Sequence, residues 1–154
     1  MDPKEKKLIL ESQKVIQELD KAIFDLHELL MRINRAVQDR SLDIQKHIYQ
    51  KSIWNDIGMY CLRHGLPQLA EVVYSEMINA LKRYEESREV TVHKGLAYHN
   101  LAISLYSQCR REEARIMFEK AYEEDQRTYG SDQAEEGLAR EALRKLFSTL
   151  PNVV

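Results

Sequence analysis

The side chains best equipped for chemistry in this 154-residue chain are five histidines (His27, His47, His64, His93 and His99) and two cysteines, Cys61 and Cys109. No two histidines form HExxH, no cysteine pair has zinc-finger spacing, and the six-residue step from His93 to His99 does not align them on one helix face. Acidic neighbours such as Glu112/Glu113 and Glu135/Glu136 read as solvated helix surface rather than as an acid–base pair. With only 5 glycines and no GxGxxG, GxxxxGK[ST] or GxSxG, the chain lacks the parts of a phosphate cradle or a nucleophile elbow. The expectation is a protein that is not an enzyme, with no catalytic residue, no metal and no cofactor.

Nucleic acid is expected to be no partner either. The formal net charge is −2, and each basic cluster is interrupted: Lys4, Lys6 and Lys7 by Asp2 and Glu5, Arg110–Arg111 by Glu112–Glu113. Two cysteines make no disulfide framework. Both fall in or beside packed helix positions, which predicts buried free thiols in a reducing compartment. No apolar run is long enough to span a bilayer and no signal peptide is evident, so the expected setting is cytoplasmic, with no membrane partner. Hydrophobic content of 44% with charged content of 31% suits a folded chain, and so few Gly and Pro (5 and 3) favour helices.

The elements that would position any functional residue follow from periodicity. In Gly95–Thr128, Tyr98, Leu101, Ala102 and Leu105 form one apolar block, and Ala114, Met117, Phe118 and Ala121 a second. A polar break near Gln108–Arg111 separates them, and a small residue in each block lets two backbones approach. This predicts an antiparallel helix hairpin. A second copy lies upstream, Trp54, Ile57, Gly58 and Cys61 followed by Gly65, Ala70, Tyr74 and Met77; the step from Ala70 to Ala114 is 44 residues (114 − 70).

This spacing resembles the tetratricopeptide repeat, a pattern of about 34 residues. With Gly95 as the first position, Tyr98, Leu101, Ala102, Leu105, Ala114, Phe118 and Ala121 fill its signature slots, and Asn100 stands where the family often has Asn. The usual turn glycine is Cys109 and the usual late proline is Gln126. The upstream copy keeps Trp54, Gly58 and Gly65. The long period, with Glu85–Lys94 read as a charged loop insertion, is similar in style to the repeats of kinesin light chains. The resemblance covers Lys51–Tyr84 and Gly95–Thr128. It implies an all-α fold and a concave groove lined by the first helix of each repeat. In this chain that means Ser52, Asn55, Met59, Leu62 and Arg63, then Leu96, His99, Ile103, Tyr106 and Ser107, with Asn100 able to bond a peptide backbone. The Lys/Asn clamp for a C-terminal carboxylate is not evident.

Upstream, residues 1–41 read as one long helix with a heptad-like stripe of Val15, Leu19, Ala22, Leu26, Leu29, Ile33 and Ala36, widened by Ile16, Ile23, Leu30 and Val37. At about 1.5 Å per residue it would be about 55 Å long. Its width suits burial against other helices, in this chain or in a second copy, with Leu19, Ile23, Leu26, Leu30 and Ile33 as self-association contacts. It could alternatively cover Met59, Leu62, Ile103 and Tyr106. Residues 42–86 are expected to hold the first hairpin and 91–130 the second. A single helix at 131–150, carrying Leu138, Ala139, Ala142, Leu143, Leu146 and Phe147, resembles the helix that caps such arrays, and with Met1 it suggests a complete unit. The leading expectation is an adaptor or scaffold that binds a peptide or helix of another protein. The alternatives are a structural module that forms a homo-oligomer through its N-terminal helix and a peptide-sensing regulator.

Overall fold

A computed structural model describes residues 1–38 and 53–147, apart from the side chains of residues 23, 26, 30, 33, 34 and 36–38. The fold is all-α. Among the described residues there are seven helices and no strand: α1 (Pro3–Gln38), α2 (Ile53–Arg63), α3 (Pro67–Leu81), α4 (Arg88–Ser107), α5 (Arg111–Tyr129), α6 (Ser131–Ala134) and α7 (Leu138–Phe147). The start expected for the second helix, near Leu42, lies outside the described residues, as do Ser52 and the end expected for the last helix near Thr149.

Helices α2 to α5 pack in sequence order, each against the next, and α7 lies on α5. Side-chain bonds set their directions. Gln108, just past the end of α4, donates to the Pro67 carbonyl (3.4 Å) and to Glu71 Oε1 (3.1 Å) at the start of α3, so α3 and α4 run antiparallel. The Thr128 hydroxyl donates to Thr91 Oγ1 (2.9 Å), which brings the end of α5 beside the start of α4. At the far end Arg111 donates to the Leu146 carbonyl (2.5 Å), so α7 runs antiparallel to α5.

The core runs between these helices through Tyr74, Met77 and Leu81 of α3, Ala97, Leu101 and Ala102 of α4, and Ala114, Phe118 and Ala121 of α5. Gly58 is small because Tyr74 lies across it: a Cβ there would sit 2.3 Å from Tyr74 Cζ. The Tyr74 hydroxyl donates to Asn55 Oδ1 (3.1 Å), and burial pushes its acidity well below that of an ordinary tyrosine.

Helices α2 and α4 end alike. In the first turn the Leu66 amide donates to the Cys61 carbonyl (2.8 Å), with Gly65 at φ +69°; in the second the Arg110 amide donates to Leu105 (3.1 Å) and that of Cys109 to Tyr106 (3.0 Å), with Cys109 at φ +60°. Both are left-handed helix terminations of the Schellman type. Cys109 therefore stands where glycine would be relaxed, and it is exposed, which corrects the expectation of two buried thiols. Cys61 is buried, and desolvation raises its pKa.

Three boundaries differ from expectation. Helix α3 stops at Leu81 rather than near Glu86, closing in short turn bonds from Arg83 to Ala80 and Tyr84 to Leu81. Much of the charged stretch Glu85–Lys94 is not a loop: extended Ser87 caps α4, its Oγ accepting from the Val90 amide (3.2 Å), so the helix starts at Arg88. The expected single C-terminal helix is two. Gly130 stands at the cap position of α6, and a turn at residues 135–137 separates α6 from α7. A Cβ at Gly137 would press on the Ala134 carbonyl at 3.2 Å, so glycine permits that close turn.

Candidate functional site

The expected groove residues divide among three places. Asn55 and Asn100 meet inside the stack: the buried Asn100 amide donates to Asn55 Oδ1 (3.0 Å), the same oxygen that receives the Tyr74 hydroxyl. The nitrogen expected to hold a peptide backbone thus ties α4 to α2. Arg63 is exposed, on the wall of a charged cleft of about 760 Å³ between α1 and α2, where Arg32 pairs with Asp56 (2.5 Å). Met59 is half-buried on α2.

Leu62 is half-buried on α2 and Ser107 exposed at the end of α4. Leu96, His99, Ile103 and Tyr106 share one face of α4 with Val92, at helical steps of three and four. This face looks across to α7 over α5. His99 meets Phe118 edge-on (5.4 Å between centroids), Phe118 meets Phe147 (6.0 Å), and Phe147 meets Tyr106 (6.1 Å). Towards the start of α4 the facing walls part and leave a cleft of about 310 Å³, lined by Leu96 and His99 on one side, Leu138 and Ala139 on the other, with Asp125 and Tyr129 of α5 between them. Leu138 at its rim is 69% exposed and Leu96 is 37% exposed. Among the described residues helix α1 lines none of it and packs chiefly on α2.

The polar groups of the cleft are unusual for so apolar a place. His99 Nδ1 is buried with no hydrogen-bond partner among the described residues, and desolvation lowers the pKa of its ring, so the imidazole is neutral at pH 7. Asp125 fits between two glycines: a Cβ on Gly95 would come within 3.1 Å of one carboxylate oxygen, and a Cβ on Gly137 within 3.4 Å of the other. Burial first, and the charge of Glu124 second, push its pKa up. The cations nearby are engaged elsewhere: Arg127 with Glu124 (2.8 Å), Lys94 with Glu86 (3.6 Å), and Arg88 with the Thr128 carbonyl (3.3 Å) and the Tyr129 ring. A neutral imidazole and an uncompensated carboxylate in an apolar slot form a binding arrangement. Among the described residues no three His, Cys, Asp or Glu side chains converge as metal ligands.

Asp125 and Gly137 are the site residues that sequence reasoning passed over. Continued at helical spacing, the stripe Ala114, Phe118, Ala121 reaches Asp125 and Thr128, so a carboxylate on the packed face was the available signal. Glu124 is likewise buried, against Arg127, with Oε2 unpartnered among the described residues.

On α1, Leu19 is 57% exposed; Ile23, Leu26, Leu30 and Ile33, expected beside it in self-association, have side chains outside the description. Leu8, Val15, Ile16 and Phe24 are exposed as well, whereas Ala22 and Leu29 are buried. No helix among the described residues is long and apolar enough to cross a membrane. Compared with protein-family models, curated proteins and solved structures, the chain matches none.

Proposed function

We propose that the chain is a non-enzymatic protein-interaction module that takes a segment of a partner protein into the cleft between α4 and α7. One observation carries this reading: an open apolar slot holds two polar side chains, His99 and Asp125, that no other described residue satisfies. Buried polar groups ordinarily have partners, and a ligand that supplies them gains the energy the fold leaves unused. The exposed Leu96 and Leu138 at its rim offer apolar contact to the flanks of such a segment. The likeness of the sequence to tetratricopeptide arrays, whose first helices line a binding groove, supports the same use of this face.

The test is affinity capture from native extract with wild-type protein and with Leu96→Asp/Leu138→Asp, both positions being exposed enough to leave the fold intact. A partner captured by wild type and lost with the variant is the expected result. A partner held equally by both would move the binding surface away from the cleft.

A second reading is favoured by α1, whose exposed Leu8, Val15, Ile16 and Leu19 leave an apolar surface uncovered by the rest of the described chain. Here the occupant is α1 of a second copy. Light scattering of the full chain is then expected to give a dimer or larger species that Val15→Glu/Leu19→Glu converts to monomer. A wild-type monomer across concentration removes this reading.

A further inference from the structure

The cleft has a charge preference that the interaction reading alone does not specify. We infer that it selects a basic side chain, lysine or arginine, whose ammonium or guanidinium meets Asp125 while its methylene stem lies along Leu96 and Leu138. This rests on the reading that a partner segment occupies the cleft, and adds to it the residue that enters.

The carboxylate of Asp125 has no ion pair or hydrogen bond among the described residues, and Glu124 beside it makes the vicinity more negative. The cations that could neutralise it are held by Glu86, Glu124 and the Thr128 carbonyl. Neutral His99 contributes no positive charge. Gly95 and Gly137 make room for the carboxylate itself, whose two oxygens lie where a Cβ on either would press. Asp125 is thus held at the cleft wall without a side chain over it from these positions. The slot of about 310 Å³ is lined largely by apolar groups with the half-buried Asp125 carboxylate in its wall, the complement of a long aliphatic stem with a cationic end. An acidic side chain would meet like charge there, and a purely aliphatic one would leave the carboxylate dry and unpaired.

The probes are three sets of acetylated hexapeptide amides built from Leu, Ala and Ser. One set carries a single lysine or arginine at each position in turn, and the matched sets carry norleucine or glutamate there. Binding is followed by ¹H–¹⁵N chemical-shift changes at the Gly95, His99 and Gly137 amides of the full chain. The expected result is saturable change at these amides with the basic set, at least tenfold weaker binding of the norleucine set, and none with glutamate. Asp125→Asn is expected to bring the basic set down to the norleucine level. Its melting temperature at pH 7 checks the fold, and should be no lower than wild type because the substitution removes a partly desolvated charge.

Equal binding of basic and norleucine peptides, or an Asp125→Asn variant that keeps the preference, overturns the inference and leaves the cleft reading standing. No change at these amides with any peptide overturns both. Shifts confined to α1 or α2 would do the same and place the basic-peptide site on the cleft beside Asp56.

Discussion

At the scale of single residues, two positions are held in conformations or environments that cost the fold energy. Cys109 adopts a left-handed backbone, φ +60°, at the helix termination where Gly65 serves in the preceding turn. A side chain in that region costs about 1–2 kcal/mol, part of which glycine gives back in the greater freedom of its unfolded chain. Cys109→Gly is therefore expected to stabilise the protein by about 1 kcal/mol in urea unfolding, with an unchanged m-value. A decrease would mean that the thiol makes a contact worth more than the strain. His99 is the second position. Burial lowers its folded pKa below 6.5, so unfolded chains bind its proton first as pH falls. The stability given by neutral His99 is fully present above 6.5 and is lost as pH drops from there to the lower folded value. His93 shifts in the same direction, with Glu89 opposing, whereas the raised pKa values of Glu124 and Asp125 act the other way as pH falls. The histidine contribution is therefore read as the difference between wild type and His99→Phe in the change of melting temperature from pH 7 to pH 5. That change should be less unfavourable in the variant; an identical change in both would place the acid sensitivity elsewhere.

At the scale of elements, legibility followed local chemistry. Helix α5 was readable at both ends: the polar Gln108–Arg111 break precedes it and Gly130, at φ +85°, closes it. Helix α3 was readable at its start, since Pro67 suits a first turn, but not at its end, where no glycine or proline marks the stop at Leu81. The start of α4 was hidden because Ser87 sits in a run of charges that resembles a loop, although Ser87 with Val90 three residues on is an N-terminal capping arrangement. Ser87→Ala is expected to cost about 1 kcal/mol, read by thermal melting, and to loosen protection of the Val90 and Thr91 amides in hydrogen exchange. A variant as stable as wild type would mean that tertiary packing of Val90, itself buried, holds the first turn unaided. The α6–α7 break was illegible for another reason: it depends on how closely Gly137 approaches the Ala134 carbonyl and Asp125, and such proximity across helices leaves no periodic trace. The candidate site was half legible. His99 was among the residues singled out from the resemblance, whereas Asp125 was hidden in a helix rich in charges.

For the molecule as a whole, the disposition of α1 matters most. Among its described side chains, Leu29 is buried and Arg32 pairs with Asp56 of the body, and residues before Ala22 are exposed throughout. A compact chain of 154 residues has a radius of gyration of about 15 Å. Small-angle scattering of monomeric protein is expected to exceed that value, and removal of residues 1–18 to bring it closer. A wild-type value at the compact limit would mean that α1 folds back on the body in solution.

The same arrangement has a mechanical meaning. From Pro3 to Ala22 the helix extends about 30 Å beyond its attachment. A half-exposed ion pair and a few apolar contacts anchor it. Whatever grips the tip of α1 therefore acts on the body through a stiff lever. A transverse load at its tip is multiplied by that length into a torque on the region of Leu29, Arg32 and Asp56.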